Sequence, residues 1–218
     1  MALVLRDLGV CSYAAALARQ EELVAGKISG DPNDYLLLLE HEPVYTLGRG
    51  ADAADLLGAD RGASVPCFRV SRGGGATFHG PGQLVAYPVL KLRHGGRDVH
   101  RYVRALEEVL IRVCGDFGIH ATRRAGLTGV WVGTAKIASI GVGVRRWTTF
   151  HGVALNVSTD LSFFARIVPC RMPDVRMTSL AVELETTPPM ATVRRAFVEQ
   201  FRAVFDYQDR AELQECRP

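Results

Sequence analysis

Two side chains in this sequence could carry covalent chemistry, and both stand in unusual settings. Cys170 lies in RIVPCRMPD, between Pro169 and an Arg171-Met172-Pro173 segment, at the end of regular patterning. A free cysteine is usually a small buried hydrophobe. A loop position also lets a thiol face a cleft, where a nearby cation or a helix N-terminus makes it a nucleophilic thiolate. Lys136 lies in GVWVGTAKIASIGVGV and is one of three lysines, with Lys27 and Lys91, among 26 basic residues. Most lysines are solvated, but flanks this apolar require the ammonium either to face a cleft or to snorkel outward. Desolvation favours a neutral amine and a neighbouring thiolate favours the ammonium. A Lys/Cys pair can therefore share one proton, with lysine as base and thiolate as nucleophile.

A third feature binds rather than reacts. Arg72 to Val89 reads RGGGATFHGPGQLVAYPV. Gly73, Gly74 and Gly75 let the backbone come close to a ligand, and Gly80-Pro81-Gly82 forces a tight turn. Taken alone, the stretch reads equally as an irregular hairpin loop, because a lone glycine-rich motif is weak evidence. His79 within it either binds substrate or satisfies turn carbonyls. His151-Gly152, with Asn156 nearby, falls on an expected strand and can line the same cleft, while His41 before Pro43 reads as structural. No Ser-His-Asp arrangement and no acid–base carboxylate pair stands out.

These residues need a frame. Ala2 to Leu8 alternates as a strand, and Ser12 to Ile28 is an amphipathic helix capped by Ser12 and stopped by Gly30-Asp31-Pro32. Tyr35 to Glu40 is a continuous apolar run, hence a central strand buried on both faces. Asp52 to Leu57 reads as a short helix. Cys67 to Val70 delivers the chain to the glycine-rich stretch as a strand, and Leu84 to Leu92 leaves it as another. Asp98 to Phe117 is a helix with Val99, Tyr102, Val103, Leu106, Val109, Leu110 and Val113 on one face, ended by Gly118. Ile119 to Thr122, Gly129 to Val132, Lys136 to Val144 and Thr148 to Val157 read as strands joined by short turns. Thr192 to Phe205 closes the chain as a helix.

The expected fold is α+β, with helices against a mixed, largely antiparallel sheet, in one domain spanning residues 1–218. It is not a doubly wound nucleotide fold, since the glycines precede a strand where a dinucleotide fingerprint precedes a helix. The triple glycine also lacks a P-loop ending.

Composition narrows the function classes. With 48% hydrophobic and 22% charged residues, the chain is of ordinary globular type. A net charge of +3 argues for no nucleic acid, though it suits acidic protein partners. No apolar run approaches the roughly 18 residues of a membrane span, and MALVLRDLGV is not read as a signal peptide. Five scattered cysteines form neither a disulfide framework nor a metal pair, so a cytoplasmic setting with reduced thiols is expected, and no metal site.

Taken together, the motifs resemble those of a known family. RGGGATFHGPGQLVAYPV is similar to the RGG-x-x-T-x-HGPGQ signature of the lipoyl(octanoyl) transferases of lipoate biosynthesis. EHEPVYTLGR (Glu40 to Arg49), GVWVGTAKIASIGV, FHGVALNV (Phe150 to Val157) and IVPC resemble further blocks of that family, in order, from about Leu36 to Leu180. The resemblance implies a fold like that of the lipoate- and biotin-protein ligases. It implies transfer of octanoyl from acyl carrier protein to a lysine on the lipoyl domains of 2-oxoacid dehydrogenase complexes and the glycine cleavage H protein. By the same resemblance Cys170 is the acyl-thioester nucleophile and Lys136 its activating base. Arg72, Gly73, Gly74, Gly75, Ala76, Thr77, Phe78 and His79 then line the acyl site, with Ser139, Ile140, Gly141, Gly152, Val153 and Ala154.

The chain departs from the pattern at Arg171, where the family has glycine, and at Gly143, where it has arginine. No cofactor is expected, because an acyl thioester is already activated and a thiolate exchanges directly with it. Two other readings fit the same residues: an ATP-dependent lipoate or biotin ligase, and a non-catalytic module that binds acyl groups or lipoyl domains.

Overall fold

The computed structural model describes residues 2–57, 65–92, 97–168, 175–208 and 214–215. In chain order the elements are β1 (Leu3–Cys11), α1 (Tyr13–Ile28), β2 (Asp34–His41), β3 (Val44–Leu47), β4 (Cys67–Arg69), β5 (Ala76–His79), β6 (Gln83–Val89), α2 (Val99–Asp116), β7 (Thr122–Arg124), β8 (Leu127–Val132), β9 (Ala135–Arg145), β10 (Thr148–Asn156), α3 (Leu180–Leu184), α4 (Met190–Phe205) and β11 (Gln214–Glu215). An eight-stranded sheet runs β11-β1-β2-β6-β10-β9-β8-β7, and a second sheet runs β4-β3-β5. Among the described strands, only β1 with β2, β1 with β11, and β3 with β4 pair in parallel. The fold is α+β with a mostly antiparallel sheet.

The apolar run in β2 becomes the middle of the large sheet because it needs cover on both sides. Leu36, Leu37, Leu38 and Leu39 are all fully buried. Leu36 and Leu38, with Leu84 and Ala86 of β6, face the core built by α2 and α4. Leu37 and Leu39, with Val85 and Tyr87, face α1 through Ala16, Leu23 and Val24. This alternation is the two-residue period of a strand. The small sheet has its own core, in which Phe78 stacks on Phe163 at 4.4 Å and meets Phe164 edge-on.

Local signals set the helix ends. Ser12 Oγ accepts the Ala15 N–H at 3.3 Å, and Asp98 Oδ1 accepts the Arg101 N–H at 3.0 Å, each satisfying an amide the helix leaves open. At the last turn of α1, Lys27 Nζ pairs with Asp34 at 2.8 Å in a buried ion pair and donates to the Asn33 carbonyl at 2.7 Å. That contact pins the helix to the start of β2.

Four expectations needed correction. Residues 52–57 hold only a 3-10 turn at Ala53–Asp55, after which Leu56 bridges Ile167. The strand expected at Ile119 begins at Thr122, because Ile119 and Ala121 are drawn into the core as the chain leaves α2. Val99 is 37% exposed, at the first position of α2 among exposed neighbours from Arg97 to Arg101. The glycine-rich stretch is not all loop: Ala76–His79 forms β5, all four residues buried. Among the described residues no helix is long and apolar enough to cross a membrane.

Candidate active site

The β9–β10 hairpin carries one wall of a cavity. Its register pairs Ser139 with Ala154, Ile140 with Val153, Gly141 with Gly152 and Val142 with His151. The two facing glycines are required by crowding. A Cβ on Gly152 would run into the Ala86 carbonyl, and one on Gly141 would stand 2.8 Å from Arg72 Cδ. Arg72 can therefore lie flat across the hairpin.

The opposite wall is the glycine-rich stretch, fastened along its length. Gly48 and Gly50 donate to the carbonyls of Gly75 and Gly74 at 3.2 and 3.0 Å, Arg49 donates to Arg72 O at 3.0 Å, and Gly73 donates to Val142 O at 2.9 Å. The guanidinium of Arg72 is buried and donates to Thr46 O and Thr46 Oγ1, both at 2.8 Å, and to Gly73 O at 3.0 Å. It acts as a bracket between the small sheet and the loop.

Between these walls lies a narrow cavity of about 30 Å³. Arg72, Gly74, Ala76, Thr77, His79, Ser139, Ile140, Gly141, Gly152, Val153 and Ala154 line it, joined by Tyr13, Tyr87 and His151. A wider groove of about 410 Å³ shares Gly74, Ile140 and Gly141 with it and is lined also by Gly73 and Gly75. Of the acyl-site residues expected from the resemblance, Phe78 alone lies away from both, in the core of the small sheet.

Behind the cavity runs a chain of buried hydrogen bonds. His79 Nδ1 lies 2.7 Å from Gln83 Oε1, Gln83 Nε2 donates to Asn156 Oδ1 at 2.9 Å, and Asn156 Nδ2 donates to the Thr178 carbonyl at 2.9 Å. Because Gln83 donates through its nitrogen, its oxygen accepts, which places the His79 proton on Nδ1. Thr178 in turn donates its N–H to Lys136 O at 2.9 Å, and Lys136 N donates to Arg176 O at 2.8 Å. The network thus ties the cavity histidine to the segment alongside Lys136.

Three imidazoles are kept neutral here. Burial pulls His41 and His151 down to about 4 and His79 well below its ordinary value, with the nearby Arg72 charge adding to the effect on His79 and His151. His41 stands behind the cavity, with Nδ1 3.1 Å from Cys11 O and Nε2 2.7 Å from Tyr87 Oη. A carbonyl only accepts, so Nδ1 carries the proton and Nε2 receives the tyrosine hydroxyl.

Lys136 is 2% exposed on β9, three residues before Ser139, with Nζ 5.5 Å from the centre of the Trp131 ring. Cys170, Pro169 and Arg171 lie outside the described residues. Before them, Val168 donates to Asp55 O at 2.7 Å; after them, Arg176 accepts from Lys136. The Gly143 departure has a local reason: the Phe150 ring occupies the space a side chain there would need.

Sequence reading missed Tyr13, Tyr87 and Gln83. Gln83 stands inside the glycine-rich stretch and was legible as a polar residue entering a buried strand. Tyr87 follows from the alternation of β6, whereas nothing marked Tyr13 beyond its place at a helix start.

An α+β sheet with a glycine-rich wall over a slender cavity has a clear structural counterpart. The crystal structure of a lipoate-protein ligase A bound with ATP matches with a TM-score of 0.82 at 16% identity, covering 100% of this chain and 90% of that one. A biotin protein ligase from Aquifex aeolicus, in complex with biotin and ATP, matches more loosely, with a TM-score of 0.53 at 13% identity over 94% and 70%. At these identities the likeness is one of fold. The chain belongs to the lipoyl protein ligase A/B catalytic domain family, whose sequence profile matches residues 12–202. Among curated relatives, the octanoyltransferase of Geobacter metallireducens is 50% identical over 204 residues, 94% of each chain.

Proposed function

We propose that this chain is an octanoyltransferase of protein lipoylation, acting as one catalytic unit across residues 1–218 in the cytoplasm. The observation that carries this reading is the 50% identity to an octanoyltransferase over 94% of both chains. The donor is octanoyl-acyl carrier protein. The acceptors are lysines on lipoyl domains of 2-oxoacid dehydrogenase complexes and on the glycine cleavage H protein. The net charge of +3 favours encounter with acidic partners.

The chemistry needs one nucleophile and one proton carrier. Lys136 takes the Cys170 proton, and the thiolate attacks the thioester carbonyl of the donor. The carrier thiolate leaves and takes the proton back from Lys136, so an S-octanoyl cysteine stands beside a neutral amine. The acceptor lysine then attacks that carbonyl, Lys136 receives its proton, and the Cys170 thiolate leaves and is reprotonated. Backbone N–H groups near the cysteine can hold each tetrahedral oxyanion. Each buried methylene contributes about 0.8 kcal/mol, so an eight-carbon chain parting the walls of the slender cavity is a firm anchor. The wider groove receives the arm on which the acyl group arrives.

Mass spectrometry after incubation with octanoyl-carrier protein tests the reading. An octanoyl adduct on Cys170 is expected without ATP, as are abolished transfer in Cys170→Ser and severely slowed acylation in Lys136→Ala. The ligase fold likeness makes ATP dependence the specific rival. Modification that requires ATP and leaves Cys170 bare would sink the transferase reading.

A further inference from the structure

Glu107 of α2 is a fully buried carboxylate that lines neither the slender cavity nor the wider groove. Its two oxygens have different partners. Oε2 meets Arg104 at 2.6 Å and Arg123 at 3.2 Å, both partly exposed side chains. Oε1 accepts the backbone N–H of Gly129, on β8, at 3.2 Å. A carboxylate gives up its hydration on burial, so such a site persists only where charge-assisted hydrogen bonds replace the water.

Gly129 is the floor beneath the Lys136 side chain. A Cβ at position 129 would stand 2.5 Å from Lys136 Cε and 3.2 Å from Nζ, so only glycine leaves room there. Its φ of +127 is also one that other residues rarely adopt. The register between β8 and β9 slips at this point: Trp131 pairs with Lys136, but Val130 pairs with Ala138. Ile137 is the extra residue, and a bulge of this kind re-aims the side chain beside it. Lys136 thus runs over Gly129, with Nζ 5.5 Å from the centre of the Trp131 ring. A lysine stem is flexible, so its path depends on the backbone it lies against.

We propose that Glu107 is a positioning residue for Lys136: by holding the Gly129 N–H, it fixes the seat that aims the lysine Nζ. Its bearing on catalysis rests on the reading of Lys136 as the proton carrier. Arg104 and Arg123 hold Oε2 and so lock the carboxylate in one orientation. Oε1 then holds the glycine, and the glycine sets the path of the lysine stem. Without that hydrogen bond the peptide of Gly129 can turn, and Nζ drifts with it. A displacement of about 1 Å in a reacting group can slow a reaction on the order of a hundredfold. The acyl chain is bound elsewhere, by the glycine-rich wall and the β9–β10 hairpin, so the effect falls on kcat and spares KM.

The test uses the full chain, whose three lysines are Lys27, Lys91 and Lys136. Lysine isotopically labelled at Cε therefore gives three NMR signals, and Lys136→Ala identifies the one that matters. Glu107→Met removes the acceptor at similar size, whereas Glu107→Gln keeps an oxygen for the Gly129 N–H. In Glu107→Met the Lys136 signal should shift while those of Lys27 and Lys91 stay. Acylation of Cys170 by octanoyl-carrier protein should slow about ten- to hundredfold, with KM unchanged. Glu107→Gln should recover most of the rate and the wild-type Lys136 signal. An unmoved Lys136 signal, a shift of all three, or a Gln variant as impaired as Met overturns the seat. If Glu107→Met fails to fold, judged by circular dichroism, Gly129→Ala leaves the carboxylate and its arginines in place and should displace the same single signal. The signal is read without substrate, so it judges the seat whatever becomes of the chemistry. If it moves and acylation does not slow, the seat stands and the base role of Lys136 falls.

Discussion

The two faces of the large sheet are made by the same strands and do opposite work. On the α2/α4 face, Leu36, Leu38, Leu84, Ala86, Val153 and Leu155 meet Leu106, Val109, Leu110, Phe197 and Phe201 in an apolar core. On the α1 face the alternating partners begin as apolar, with Leu37, Leu39 and Val85, and give way to Tyr87, Gln83, His41 and Asn156. Burial is nearly complete on both. What differs is how polarity is satisfied: one face has little to satisfy, while the other spends side-chain amides and hydroxyls on holding neutral imidazoles in place. The large apolar core lies on one side of the sheet and the buried histidine network on the other, one residue apart.

The strongest way to break this division is Leu38→Ala. Truncating a fully buried leucine should cost about 2–5 kcal/mol in urea unfolding, with transfer per folded molecule unchanged. A drop in that specific activity would mean the dry face is coupled to the cavity. A second, middle-sized effect belongs to the polar face alone. His41 and His151 fall from an ordinary 6.5 to about 4, so between these values the unfolded chain binds protons that the folded chain does not. Stability is therefore intact above pH 6.5 and is lost as pH falls towards 4, on the order of 2 kcal/mol per histidine by pH 5. Urea midpoints at pH 7.5, 6 and 5 should decline accordingly, and less steeply in His151→Asn; a flat profile would show that the imidazoles are charged or solvated. The smallest effect sharpens the role of α1 as the lid of this face. Ser12→Ala should cost about 1 kcal/mol, and amide exchange should quicken in the first turn, next to Tyr13.

Long, strongly patterned elements were legible in the sequence. The leucine run of β2, the helix with its Ser12 cap and the 3–4 spacing of α2 each have a single low-energy use, and the structure adopts it. Short elements were not legible, because tertiary contacts decide them. Four residues between glycine runs form β5 only since β3 offers Val44–Leu47 as a partner. The 3-10 turn at Ala53–Asp55 replaces a helix because Leu56 is captured by Ile167. In the candidate site, glycines and histidines announced themselves by type, and the expected acyl-site set gathers around the slender cavity and the groove beside it except for Phe78. That residue could not be separated by pattern from Thr77 and His79, since a strand lying between two sheets gives alternate side chains different neighbours. Tyr13 shows the opposite limit, for a tyrosine at a helix start is unremarkable until His41 and Phe68 are brought against its ring.

The left-handed backbone at His151 also bears on how this protein can drift. Most side chains are disfavoured at φ +54, with asparagine, aspartate and glycine the least penalised. A random substitution there meets a backbone filter before it meets any substrate. This cavity-lining residue thus has a short menu of viable replacements, and that part of the wall is insulated from neutral change by the geometry of one peptide unit.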